Sequence, residues 1–182
     1  MSEKFEIRLG GSGGQGLILG GIILAEAAIL DGKNAIQAQS YGPEARGGAS
    51  KAEVIISDEE IAFPKVQNAD IFLALTQKAC DKYLSSLKMN GLLIIDDSVK
   101  LNPVSFENYR VVHIPIISTA VEQLQKSMVA NIVALGAIRE LTNAVTRESL
   151  EAAVLKRVPP GTGPLNKKAL SAGYELVKNQ SQ

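Results

Sequence analysis

The chain contains one cysteine, Cys80. A lone thiol cannot close an internal disulfide. It also falls short of the four ligands of a structural zinc site and of the roughly four thiolates that hold an iron–sulfur cluster. Any electron carriage in the work of this protein therefore falls to another chain. Net charge is lacking as well, because 19 Lys+Arg stand against 19 Asp+Glu. No overall field recruits nucleic acid or an anionic membrane, so an anion site has to be local. The apolar run "LILGGIILA" stops at Glu26, well below the ~20 residues that span a bilayer. The start "MSEKFEIR" has no basic leader, and a cytoplasmic location without a membrane partner is the default expectation. Gly-Lys-Ser and Gly-Lys-Thr do not follow the glycine-rich turn, which excludes an ATP-type phosphate loop. No nucleophile paired with a base is visible.

What remains is a chain of 182 residues, long enough for one domain that buries about 70% of its unfolded surface. Phe5 to Leu9 alternates apolar with charged residues and predicts a strand. "GGSGGQG", Gly10 to Gly16, predicts a turn, and the apolar stretch to Leu30 a helix that Asp31-Gly32 ends. That helix leaves almost no polar face, and Gly20-Gly21 inside it costs about 1 kcal/mol per glycine relative to alanine. It is either packed between the sheet and its neighbours or part of a subunit interface.

Further along, Asn34 to Gln39 and Ser50 to Ser57 read as strands, with "DEEIAF" folding back as a hairpin up to Pro64. Ile71 to Leu75 has the continuous apolar character of a buried parallel strand. Thr76 is expected to cap a helix running to about Met89 and ended by Asn90-Gly91. "LLII" and Arg110 to Ile116 supply two more strands. Ser118 or Thr119 then caps a long helical region, and Thr146 to Val158 forms another helix. "PPGTGP", residues 159–164, is a connector, and residues 166–178 form a docking helix. Alternating strands and helices predict a single α/β domain over residues 1–182, with a mostly parallel sheet and a C-terminal helical region.

The spacing G-x-G-x-x-G is met by Gly11, Gly13 and Gly16, between a predicted strand and helix. There, backbone N–H groups and the positive end of the helix can meet a phosphate. The same glycines can equally serve only a tight turn and close packing. An NAD site also requires an acid at the end of the second strand, but that strand ends Ala38-Gln39-Ser40, and Asp31 belongs to the helix stop. Both the glycine turn and the loop after the second strand leave at the carboxyl edge of such a sheet, so they are expected to face one cleft. The loop "YGPEARGG" places Arg46 between Glu44 and Gly47-Gly48. Its planar cation suits phosphate or carboxylate, unless it merely braces the loop through Glu44. Three other candidates are weaker. His113 reads as a buried, satisfied imidazole, Cys80 as inert packing, and Asp96-Asp97 as a metal site or a helix cap.

"GGSGGQG", "LAEAA", "SYGPEARGGAS", "ADIFLAL" and "NIVALGAI", in this order, resemble the gamma subunit of 2-oxoacid:ferredoxin oxidoreductases over nearly the whole chain. The pairing of the two glycine motifs is more specific than either alone. Tyr41-Gly42 and the Arg46-Gly47-Gly48 ending look closest to the 2-oxoglutarate type, also called 2-oxoglutarate synthase. The resemblance implies a Rossmann-like three-layer fold. It also implies a multisubunit enzyme that decarboxylates a 2-oxoacid on thiamine diphosphate with Mg, passes electrons through iron–sulfur clusters to ferredoxin, and forms an acyl-coenzyme A. The cofactors would lie on alpha, beta and ferredoxin-like delta partners, and this chain would be inactive alone, with self-association possible when isolated. Gly11, Ser12, Gly13, Gly14, Gln15 and Gly16 would form one surface with Tyr41, Glu44, Arg46, Gly47, Gly48 and Ser50, touching coenzyme A or a partner. Two alternatives stay open: a purely architectural subunit, and an independent nucleotide- or coenzyme A-binding module.

Overall fold

The computed structural model describes residues 2–39 and 48–180. Strand β1 (Lys4–Ser12) runs through the glycine turn into helix α1 (Leu17–Leu30), and β2 (Asn34–Gln39) and β3 (Ala49–Ser57) follow. Then come β4 (Ala69–Ala74), α2 (Gln77–Tyr83), β5 (Leu87–Asp96), α3 (Pro103–Asn108) and β6 (Arg110–Ile114). A short helical turn, α4 (Ile116–Ser118), leads through further irregular turns to α5 (Ala130–Thr142), α6 (Arg147–Arg157) and α7 (Gly163–Gln180). The expected docking segment, residues 166–178, lies inside α7.

The six strands form one sheet in the order β2-β3-β1-β4-β5-β6. β1, β4, β5 and β6 are mutually parallel. β3 runs antiparallel to both β1 and β2, which restores β2 to the direction of β1. The sheet is thus mostly parallel, as the alternation of elements predicts, with one reversed strand inserted. Both of its faces are covered. Ile7, Leu9, Leu73 and Ile94 pack under α1, α5, α6 and α7, while Phe72, Leu93 and Ile95 pack against Ala79, Cys80 and Tyr83 of α2. Two covered faces explain why residues 71–74 of β4 and 92–95 of β5 read as unbroken apolar runs. They also make this a three-layer α/β fold.

Four local expectations fail, each for a physical reason. "DEEIAF" forms no hairpin, because Asp58 turns back to the start of β1: its carboxylate accepts from the Glu3 amide at 2.9 Å, and its own amide donates to the Glu3 carbonyl at 3.1 Å. The helix capped by Thr76 ends at Tyr83, not Met89. Leu87 is drawn into the core beside β4, so the next four residues become strand and bulge. Asn90, expected at the end of a helix, has φ 61° within β5. Neither Ser118 nor Thr119 caps a long helix: Gln125, with φ 54°, interrupts the region, and α5 begins after Val129 without a side-chain cap. Finally, β6 stops at Ile114, before Pro115.

Helix α3 was not anticipated, although its signal is present. Asn102 accepts from the Ser105 amide at 3.1 Å, and Pro103 occupies the first helical position. Thr146 caps α6 in the same way, accepting from the Ser149 amide at 3.2 Å.

Candidate functional site: the glycine-turn rim

The turn between β1 and α1 is built around side chains that glycine leaves room for. Gly14 and Gly16 have φ 86° and 72°, a left-handed conformation that side chains disfavour. Gln15 folds back so that its Oε1 accepts from the Ser12 amide at 2.8 Å. That oxygen lies 2.3 Å from where a Cβ of residue 11 would stand, so Gly11 is needed for the closure. One turn N–H is therefore already satisfied internally. Helix α1 starts at Leu17 with no side-chain cap, which leaves the turn to meet whatever lies beyond it.

Register places the second glycine-bearing region beside the first. Ser12 pairs with Ala49, and Gly11 with Ser50, at the start of β3. Gln39, at the end of β2, pairs with Ala52 two strands from β1. Both segments flanking the loop thus stand on the edge of the sheet from which the glycine turn leaves. Gly48 and Ser50 are half-buried there. Tyr41, Glu44, Arg46 and Gly47 lie outside the described residues.

A groove of about 610 Å³ runs along this rim. The turn and Ser50 form one wall, and the half-buried Ile18, Leu19 and Ile22 of α1 form an apolar floor. The near-continuous apolarity of α1, broken only by Glu26, is thereby resolved into two roles. Gly20, Gly21, Ile23, Leu24, Ala27 and Ala28 are buried inside the fold, whereas Ile18, Leu19 and Ile22 line the groove. Ile29 and Leu30 are exposed at the far end of the helix.

Lys51 also borders the groove, and the sequence reading missed it. Its Nζ lies 2.9 Å from Glu53 Oε1, which is also 2.8 Å from Nη2 of buried Arg8. One carboxylate shared between two cations leaves a local surplus of positive charge behind the rim. Strand alternation out of the Ser50–Ser57 pattern could have flagged this lysine. Tyr83, whose ring lies 5.6 Å from Lys51 Nζ, could not have been read from spacing.

The weaker candidates do not join this rim. His113 is half-buried on β6 and stacks on Phe106, with centroids 5.9 Å apart and planes at 3°, so it is not the fully buried imidazole expected. Cys80 is buried under the opposite face of the sheet. Burial, reinforced by the neighbouring Asp81 charge, pushes its thiol up to about 11. Buried Asp96 accepts from the Ser98 amide and hydroxyl and from the Ile117 amide, bracing a turn. Asp31 is occupied by Thr146 and Ser149, which agrees with its reading as a helix stop. Among the described residues, no three His, Cys, Asp or Glu side chains converge as a metal site, and no helix is long and apolar enough to cross a membrane.

A parallel α/β sheet with a glycine turn at the carboxyl end of its first strand defines a broad class of anion-facing folds. Comparison with known proteins narrows it. Residues 6–176 match the profile of the pyruvate ferredoxin/flavodoxin oxidoreductase family, and the chain belongs to that family. It is 51% identical over 178 residues to the 2-oxoglutarate synthase subunit KorC of Methanocaldococcus jannaschii, covering 95% of this chain and 94% of that one. The crystal structure of the gamma subunit of a keto/oxoacid ferredoxin oxidoreductase from Geobacter sulfurreducens is similar, with a TM-score of 0.88 at 50% identity, covering 97% of this chain and 98% of that one. A 2-oxoglutarate:ferredoxin oxidoreductase from Magnetococcus marinus, with 2-oxoglutarate, coenzyme A and succinyl-CoA bound, shares the fold with a TM-score of 0.87 at 24% identity. The likeness covers 97% of this chain and 31% of that longer one.

Proposed function

We propose that this chain is the gamma subunit of a multisubunit 2-oxoacid:ferredoxin oxidoreductase of the 2-oxoglutarate type, and that its glycine-turn rim faces coenzyme A in the assembled enzyme. The observation that carries the reading is the 51% identity to a 2-oxoglutarate synthase subunit across nearly all of both chains. The enzyme would oxidatively decarboxylate a 2-oxoacid to its acyl-coenzyme A and reduce ferredoxin.

Within this reading the chain supplies binding and orientation rather than the chemical step. Its described residues do not fit a resident cluster or metal: Cys80, the one thiol, is buried and hard to ionise, and no acidic or imidazole trio converges. We assign thiamine diphosphate, Mg and the iron–sulfur clusters to alpha, beta and delta partners, as the family resemblance implies. The rim offers what an extended, phosphate-bearing thioester precursor requires. Ile18, Leu19 and Ile22 give an apolar floor, the turn gives close backbone approach, and the Arg8–Glu53–Lys51 group gives positive potential. Arg46 is the proposed phosphate anchor from the adjoining loop.

The architectural alternative draws on one specific observation. Gln15 already occupies the Ser12 amide, and a turn satisfied from within can serve packing alone. Reconstitution with the partner subunits separates the two readings. The complete complex should reduce ferredoxin with 2-oxoglutarate and coenzyme A, and omission of this chain should abolish that activity. Arg46→Ala should raise the KM for coenzyme A without changing assembly. If Arg46→Ala leaves both unchanged, the rim does not hold coenzyme A; if it impairs assembly only, the architectural reading stands.

A further inference from the structure

The sheet has a second rim, at the amino ends of its parallel strands, which the proposed function leaves unused. Two adjoining grooves of about 360 and 460 Å³ lie there and share Lys4 and Lys88. Arg110 and Met89 border the first, and Lys65 and Phe63 the second. The two carboxylates that line these grooves are already engaged: Glu6 lies 2.8 Å from Lys4, and Asp70 lies 2.6 Å from Lys88. Lys65 and Arg110 are exposed, and neither is ion-paired among the described residues. The lining of the two grooves therefore sets four cations, Lys4, Lys65, Lys88 and Arg110, against two carboxylates, in a chain whose net charge is zero.

The strand geometry shows how apolar side chains come to sit among these cations. Leu87 pairs with Ala69 and Leu92 with Ile71, so residues 88–91 of β5 stand opposite Asp70 alone. This bulge is tightly built. Asn90 takes φ 61°, and a Cβ on Gly91 would lie 2.7 Å from the Lys88 carbonyl. Leu87 and Leu92 stay buried while Met89 is thrown out to 65% exposure. Phe63, on the segment before β4, is 52% exposed and lines the adjoining groove. A bulge of this kind re-aims side chains at a sheet edge, and methionine and phenylalanine are enriched where proteins meet.

We propose that this rim is a docking surface for an acidic protein chain of the same enzyme complex, whose apolar centre covers Met89 and Phe63 and whose carboxylates meet Lys65 and Arg110. The proposal rests on the gamma-subunit reading above. A second copy of this chain is the poorer occupant, because a two-fold contact through one patch sets these cations against themselves. A polyphosphate chain fits less well too, since Glu6 and Asp70 are interleaved with the cations and two apolar side chains would stay uncovered.

The test uses the complex reconstituted from full-length subunits. The doubly charge-reversed chain, Lys65→Glu with Arg110→Glu, should raise the dissociation constant of the complex by about tenfold or more and flatten its dependence on salt. Both positions are exposed, and a thermal melt of the isolated chain verifies that the variant folds. A benzoylphenylalanine placed at position 63 should photo-cross-link to a partner segment rich in Asp and Glu. Unchanged affinity and salt slope, or a cross-link to a second copy, to nucleic acid or to a segment without acidic residues, would overturn the proposal. If the wild-type chain joins no partner subunit, the gamma-subunit reading falls and this proposal falls with it. If wild type and variant assemble equally well, only the rim assignment is lost.

Discussion

The side-chain amide of Asn131 donates to the carbonyl oxygen of Gly16 at 3.1 Å, tying the start of α5 to the glycine turn. A Cβ on Gly16 would lie 2.5 Å from that same nitrogen, and Gly16 has φ 72°. Gly14 has a similar φ of 86°, but nothing lies within 4 Å of its missing Cβ. Gly14→Ala should therefore lose only the backbone term, about 1–2 kcal/mol. Gly16→Ala should lose that and about 1–3 kcal/mol more for displacing Asn131. Urea unfolding of the two variants reads the difference directly. Equal losses would mean that Asn131 yields freely and does not hold the turn.

Helices α5 and α7 meet backbone to backbone. A Cβ on Gly173 would lie 2.2 Å from the Val133 carbonyl, and one on Gly136 would lie 2.4 Å from the Leu170 carbonyl. Alanine at either position has to push the helices apart over the larger core, at a cost of about 1–3 kcal/mol. Gly20 of α1 provides the opposite case, because its added Cβ would meet Leu9 and Leu135 at ordinary distances of 3.5 and 3.7 Å. Gly20→Ala should stabilise the chain by about 0.5–1 kcal/mol by restricting the unfolded state. Thermal melts of the three variants should thus move in opposite directions. A destabilised Gly20→Ala would show that α1 has no room for a methyl group.

The order of elements was readable because β1, α1, β4 and the end of β5 each carry a strong local pattern, and the two paired glycine motifs marked the family. The reversed direction of β3 was not readable. "SKAEVIIS" is compatible with either orientation, and only pairing with β1 decides it. The extent of α2 was misjudged because Leu84 to Met89 keeps helical spacing while Leu87 finds a better place beside Ala69. At the site, the glycines and Ser50 were visible as motif. Lys51 was legible only as a position in the strand alternation, since its relevance depends on Arg8 arriving from the neighbouring β1 to share Glu53. The bulge at Met89 was hidden for a similar reason, because Asn90-Gly91 signals a helix end and a strand bulge equally well.

Cys80 should behave as a packing residue. It is 1% exposed, and its thiol lies near 11 because of burial and, secondarily, the Asp81 charge. At pH 8 about one thiol in a thousand would be ionised. Iodoacetamide at that pH should leave the folded chain unmodified over a period in which the urea-unfolded chain reacts completely, as followed by mass spectrometry. Rapid labelling of the folded chain would show that α2 opens readily from the sheet.

Acid should weaken the contacts that hold the C-terminal helices. The Glu140 carboxyl is held below its ordinary value by hydrogen bonding from Arg147 first, with partial opposition from burial and further help from Arg139; the Nη2 of Arg147 lies 2.6 Å away and the Nη1 of Arg139 2.9 Å away. Glu26 is lowered chiefly by its hydrogen bond from Arg157, against partial burial. For Asp31 burial is the largest influence and acts upward, but the Ser149 and Thr146 hydrogen bonds together outweigh it. A carboxyl whose folded pKa is depressed contributes stability above its unfolded value, and that contribution is lost as pH falls through the folded one. Stability should therefore be level at neutral pH and decline below about pH 4, the ordinary carboxylate range. Because Arg147 is 40% exposed, solvent screening keeps the Glu140 share modest. Glu140→Gln should lower stability at pH 7 and make the acid decline shallower, as read from urea midpoints between about pH 3 and 7. A variant whose decline is as steep as that of wild type would remove Glu140 from the acid response and leave it to Glu26 and Asp31.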